Sequence, residues 1–189
     1  MSEPIPSDFL EALQSLRGHR FRREVHLEEI PAPTRIAPFS LALNAELNPS
    51  RDPDDLLGHG RFVVLHDPAT QPAWHGTFRV IVMAKAQVDP EMGIDPMFGE
   101  AGWSWLVDAL EAAGAGYHHL SGTITRVLSE TFGGLLLQSN ATEMEVRASW
   151  TPNTTDLGPH LEAWVGLMEA LAGLPPVGEN VAVLGRRLR

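Results

Sequence analysis

Apolar and polar residues alternate with a period of two along several stretches of the chain, and recur at helical spacing in others. Phe39, Leu41, Leu43, Ala45 and Leu47 alternate with Ser40, Ala42, Asn44 and Glu46, the mark of a strand with one buried face. Phe78, Val80, Val82, Ala84, Ala86 and Val88 form the strongest run. Its other face carries Ile81 and Met83, so part of that side is also expected to be covered. Met144, Val146, Ala148 and Trp150 point one way in a further strand, and Glu143, Glu145, Arg147 and Ser149 the other. Shorter strands are predicted over Val25 to Ile30, ended by Pro31 and Pro33, over Arg61 to His66, and roughly over Leu120 to Ser129.

Ser7 is placed to cap a helix from Asp8 to about Leu16, with Phe9, Leu10, Leu13 and Leu16 on one face. A second helix is predicted from about Ala101 to Ala113, ended by Gly114 and Gly116. A third starts near Asp156 with Pro159 in its first turn, and stops before Pro175 and Pro176. The order α-β-β-β-β-α-β-β-α, with short connections, predicts an α+β domain: one mainly antiparallel sheet of about five to six strands and three helices. That order is shared with a secretion-chaperone-like layout, an analogy that carries no function. No repeat or linker divides the chain, so residues 1–176 read as one domain and 177–189 as a loose tail. Leu41, Leu43, Phe78, Val80, Val82, Trp103, Leu110, Val146, Trp164 and Leu171 are the expected core.

At 189 residues and 43% hydrophobic content, the chain is long and apolar enough for a packed core. It has no run long enough to span a bilayer and no visible leader, so a cytoplasmic protein is expected, with no membrane association. The absence of cysteine excludes disulfides, thiolate nucleophiles and cysteine-ligated metals. A net charge of −10 disfavours nucleic acid as a partner. The basic groups at Arg17, Arg20, Arg22 and Arg23, and at Arg186, Arg187 and Arg189, are read as solvated.

Several stretches carry a resemblance: Glu28-Glu29-Ile30-Pro31-Ala32-Pro33, Leu65-His66-Asp67-Pro68, Gly102-Trp103-Ser104-Trp105-Leu106, Arg147-Ala148-Ser149-Trp150-Thr151-Pro152 and Pro159-His160-Leu161-Glu162-Ala163-Trp164. With the Leu174-Pro175-Pro176 ending, they resemble domain of unknown function three thousand, an actinobacterial family, over nearly the whole chain. The resemblance implies an actinobacterial cytosolic protein and supplies no activity or site. Association of family members with ribonuclease D-like and haem-biosynthesis genes implies, at most, an accessory role in RNA or haem metabolism.

The candidate chemistry is sparse. Gly58-His59-Gly60-Arg61 opens a strand and lacks a phosphate loop's lysine and hydroxyl, and no strand precedes Ser104, so no catalytic residue is assigned. His66, His75, His118 and His119 lie at predicted strand ends, but no pair has helical ligand spacing. They are read as turn and surface residues, and neither a metal nor a cofactor is expected. Adjacent residues of a strand point to opposite faces, so at most one of His118 and His119 is expected at any one site. Trp105 lies about 200° round its helix from Trp103, away from the core stripe of Trp103, Leu106, Val107 and Leu110. It is a candidate for contact with a partner or pocket, unless the loop around Met92 to Phe98 covers it. If Leu120, Ile124 and Leu128 face the core, so do Gly122 and Arg126, and a buried guanidinium needs an anion or a route to the edge. On the last helix, Ala163, Gly166 and Ala170 are expected to form an outer face of small residues.

Trp105, Arg126, His75, His119 and Gly166 are therefore the candidate binding residues. The leading expectation is a non-catalytic binding or assembly module acting as a homo-oligomer or with a protein partner. The alternative is a small-molecule-binding protein or unrecognised enzyme, with a pocket lined by Trp, His and Arg. A concave pocket gathering polar groups would favour the second reading, and a flat apolar patch the first.

Overall fold

The computed structural model describes residues 4–135 and 141–176. Helix α1 (Ser7–Ser15) precedes β1 (Val25–Ile30), β2 (Phe39–Leu47), β3 (Gly58–Gln71) and β4 (Gly76–Val88). A single helical turn, α2 (Pro90–Gly93), leads into α3 (Phe98–Ala112), followed by β5 (Tyr117–Ser129), β6 (Ala141–Pro152) and α4 (Gly158–Leu171). Apart from α2, this is the α+β order read from the sequence. The six strands form one sheet in the order β1-β2-β3-β4-β6-β5, every neighbouring pair antiparallel. The expected tail, with Arg186, Arg187 and Arg189, lies outside the described residues.

The boundaries shift where local chemistry overrides the pattern. Ser7 is inside α1, Pro6 occupies the cap position without a side-chain bond, and the Asp8 carboxylate accepts from the Phe9 N–H. Before α4, Asp156 accepts from the Gly158 N–H at 3.1 Å while Leu157 holds the cap position. β3 runs five residues beyond His66 because Gln71 pairs with Gly76 across the Pro72–Trp74 turn.

All helices lie on one face of the sheet. There Leu43, Ala45, Phe62, Val64, Val80, Val82, Val146 and Trp150 meet α3 and α4 in one continuous core. Of the expected core residues, only Leu41 and Trp103 are half-buried; the rest are buried. α4 is locked to the sheet by two ring N–H bonds. Trp164 Nε1 donates to the Met83 carbonyl at 3.0 Å, and Trp150 Nε1 to His160 Nδ1 at 2.8 Å. Close approach is enforced at Gly60, where a Cβ would lie 2.5 Å from the Met83 carbonyl oxygen and 2.7 Å from Met168 Sδ.

The opposite face is covered only in part, as Ile81 and Met83 suggested. Ala37, Ala42, Val63 and Leu65 are buried there, with Ile30, Ala32, Trp74 and Ile81 packed against them. Beyond this small cluster, β3, β4, β6 and β5 show their outer side chains with no helix above them among the described residues.

Candidate functional site

Strand register decides which residues meet on the open face. Arg61 pairs with Met83, Met83 with Arg147, and Arg147 with Thr123, forming one row across four strands. The next row is Val63, Ile81, Ser149 and Ser121. Together these two rows line a concave groove of about 400 Å³. Its floor is apolar (Val63, Ile81, Met83), its flanks are cationic (Arg61, Arg147), and hydroxyls close the β5 side. Arg147 is drawn towards Glu145, its Nε 2.5 Å from the carboxylate. Among the described residues, Arg61 has no carboxylate within ion-pair distance.

One row further on, at the groove's end, Arg79 is 8% exposed. Its guanidinium donates to the His119 carbonyl (3.0 Å), Thr151 Oγ1 (3.1 Å), and both the carbonyl (3.2 Å) and Oγ (2.8 Å) of Ser149. All four acceptors are neutral, and no carboxylate pairs with Arg79 among the described residues. Desolvation lowers its pKa from the ordinary arginine value. Because Ser149 Oγ accepts from this cation, its own O–H remains to donate, and the groove lies beside it.

The Arg79 bond to His119 falls at a bulge that overturns one expectation. Pairing with β6 slips between His118 and Ser121, and His119 takes a left-handed φ of 53°. Strict alternation therefore fails, and both His118 and His119 reach His75. His75 and His119 stack with ring centroids 3.7 Å apart, while His118 lies edge-on to His119 and bonds the His75 carbonyl through Nε2 at 3.2 Å. His118 Nδ1 is fixed at 2.6 Å from Asn153 Oδ1. Desolvation, and then His75, His118 and Arg79, hold the His119 imidazole below its usual pKa. The two stacked rings meet face to face, and among the described residues no three His, Asp or Glu groups are arranged to hold a metal ion.

His66 also departs from the surface reading. It is fully buried against Phe78, with centroids 4.2 Å apart, its Nδ1 on the Thr77 carbonyl and its Nε2 3.4 Å from Asp8. Trp105 is half-buried, held edge-on at 5.7 Å by Phe98, which is not loop but the first residue of the same helix, two turns earlier. Arg126 shares the helix-side parity of Gly122, the glycine on which the Trp103 ring rests, 2.8 Å from where a Cβ would lie. Its guanidinium is nevertheless exposed, bonded to the Gly93 and Asp95 carbonyls at the end of α2. The expected outer face of α4 is narrower than its small residues suggested. Ala163 is buried and Glu162 is bonded to His19, which leaves half-buried Gly166, with open space where a Cβ would sit, and exposed Ala170. His75 and His119 thus come together near the groove's end, whereas Trp105, Arg126 and Gly166 lie elsewhere.

Arg61, Arg79, Arg147 and Ser149 were not singled out from the sequence. The available signal was their position opposite the apolar parity of three consecutive sheet neighbours. What they define is an open-faced antiparallel α+β sheet with a cation-flanked groove, in which no hydroxyl is paired with an imidazole among the described residues. The chain belongs to the family described as protein of unknown function (DUF3000), whose model matches residues 5–182. No curated protein and no solved structure matches the chain.

Proposed function

We propose that this chain is a non-catalytic binding protein for a small amphipathic anion, seated on the open face of its sheet. The observation that carries the reading is the row Arg61–Met83–Arg147, a thioether between two guanidinium groups in a protein whose net charge is −10. Exposed cations gathered over an apolar floor suit a ligand with a carboxylate, sulfonate or phosphate head and an apolar body. Ser149 and Ser121 add hydroxyl donors at one end. The hydroxyls carry no paired imidazole, which favours holding a ligand over transforming it. The lack of cysteine fits action in the cytoplasm, and among the described residues no helix is long and apolar enough to cross a membrane.

The test compares a fluorescent amphipathic anion, 1-anilinonaphthalene-8-sulfonate, with its uncharged analogue N-phenyl-1-naphthylamine on the folded protein at neutral pH. Saturable binding of the anion, weak binding of the analogue, and loss of the anion signal in Arg61→Ser/Arg147→Ser are expected. Equal binding of the two dyes, or an anion signal indifferent to both substitutions, refutes the proposal.

A further inference from the structure

The two edges of the sheet are protected very differently. β1 is six residues long, carries Glu28 and Glu29, and ends at Pro31 and Pro33. Short length, charge and proline are the usual means of keeping an edge from pairing with another chain. β5 is neither short nor interrupted by proline, and it carries little charge. It is thirteen residues long, and from Leu120 to Ser129 it contains no proline and one charge, Arg126. That charge is drawn back over the helix side by the Gly93 and Asp95 carbonyls. Thr123, Thr125, Val127 and Leu128 are exposed, and no other strand pairs with the outer edge among the described residues.

We propose that β5 takes up a second copy of this chain, edge to edge, so that two sheets join in one antiparallel twelve-stranded sheet. The sequence of β5 is compatible with itself about a two-fold axis through Ile124. Thr123 then lies opposite Thr125, Ser121 opposite Val127, and Leu120 opposite Leu128, all pairs that suit neighbouring strands. Arg126 falls opposite Gly122, beside the Trp103 ring that covers it, so no like charges meet. An axis perpendicular to the sheet keeps both helix layers on one side and both open faces on the other. Ser121 and Thr123, which close the groove, then become interior to the joined sheet. The inference stands on the edge alone and does not require the ligand reading.

Light scattering after size exclusion should give the mass of two chains at high micromolar concentration. Thr123→Lys/Thr125→Lys places lysines opposite lysines and should give one chain with unchanged circular dichroism. Thr123→Glu/Thr125→Glu should do the same, and mixing the two variants should restore the paired mass, because each lysine then faces a glutamate. A wild-type protein of one-chain mass, a dimer indifferent to the lysines, or a mixture that stays monomeric overturns the proposal.

Discussion

The two faces of the sheet come from the same strands, often from alternate residues of one motif, yet they are organised by different needs. In Arg147-Ala148-Ser149-Trp150-Thr151, Ala148 and Trp150 enter the helix-covered core, while Arg147, Ser149 and Thr151 belong to the open face. On the covered side the indole N–H groups of Trp150 and Trp164 each have a fixed acceptor, and close packing leaves no room for a Cβ at Gly60. On the open side, charge and apolar surface sit together without being sealed. The contrast separates residues that hold the fold from residues free to hold something else.

Breaking the covered face should have the largest effect. Trp164→Ala removes a fully buried ring tilted against Phe62 and its bond to the Met83 carbonyl, and should cost about 3–5 kcal/mol in urea unfolding. Acid should act next. His160 is buried, accepts from Trp150, and has its pKa lowered by desolvation from 6.5 to about 4. The folded state therefore resists a proton that the unfolded chain accepts. This contribution is complete above pH 6.5 and is lost as pH falls towards about 4, amounting to about 3 kcal/mol at most. His160→Gln keeps an acceptor but does not titrate, so stability measured across that window should become flatter.

Arg79 lies between the two regimes, buried but on the open side. Removing one member of a buried ion pair typically costs about 3–5 kcal/mol because a charge is orphaned. Arg79 leaves only neutral acceptors behind, so Arg79→Met should cost about 1–2 kcal/mol. Hydrogen exchange should quicken at the His118–Ser121 bulge, which Arg79 ties down through the His119 carbonyl. Unchanged exchange there would mean that the bulge is held by β6 alone.

What the sequence revealed follows the same division. Period-two alternation identified β2, β4 and β6 because the covered face imposes it on every other residue. It also placed Ile81 and Met83 on a second, partly covered face. It did not reveal the groove, because Arg61, Met83 and Arg147 are distant in the chain and become neighbours only through register. The histidine cluster was hidden for another reason. One left-handed residue, His119, breaks the alternation on which the expectation rested, and His is among the non-glycine residues that tolerate that conformation. Trp105 read as exposed because the pattern starts the helix near Ala101; α3 begins at Phe98, which lies seven residues before Trp105 on the same helical face and meets its ring.

The smallest effect on stability should come from the groove floor itself. Met83 is half-buried, and its link to α4 runs through its backbone carbonyl, which substitution leaves in place. Met83→Gln preserves length and approximate volume, exchanges the thioether for an amide on a face with no helix above it, and should change stability by no more than about 0.5 kcal/mol. Ligand binding should respond far more. Losing apolar contact of this size is worth up to about 1.5 kcal/mol, close to tenfold in the dissociation constant of anilinonaphthalene sulfonate. Because the guanidinium groups remain, the salt dependence of that binding should stay as in the wild type, whereas Arg61→Ser should reduce it. The pair of measurements separates floor from flank. If Met83→Gln instead destabilises the protein by more than 1 kcal/mol and leaves dye binding intact, the open face is core in disguise and the division between the two faces fails.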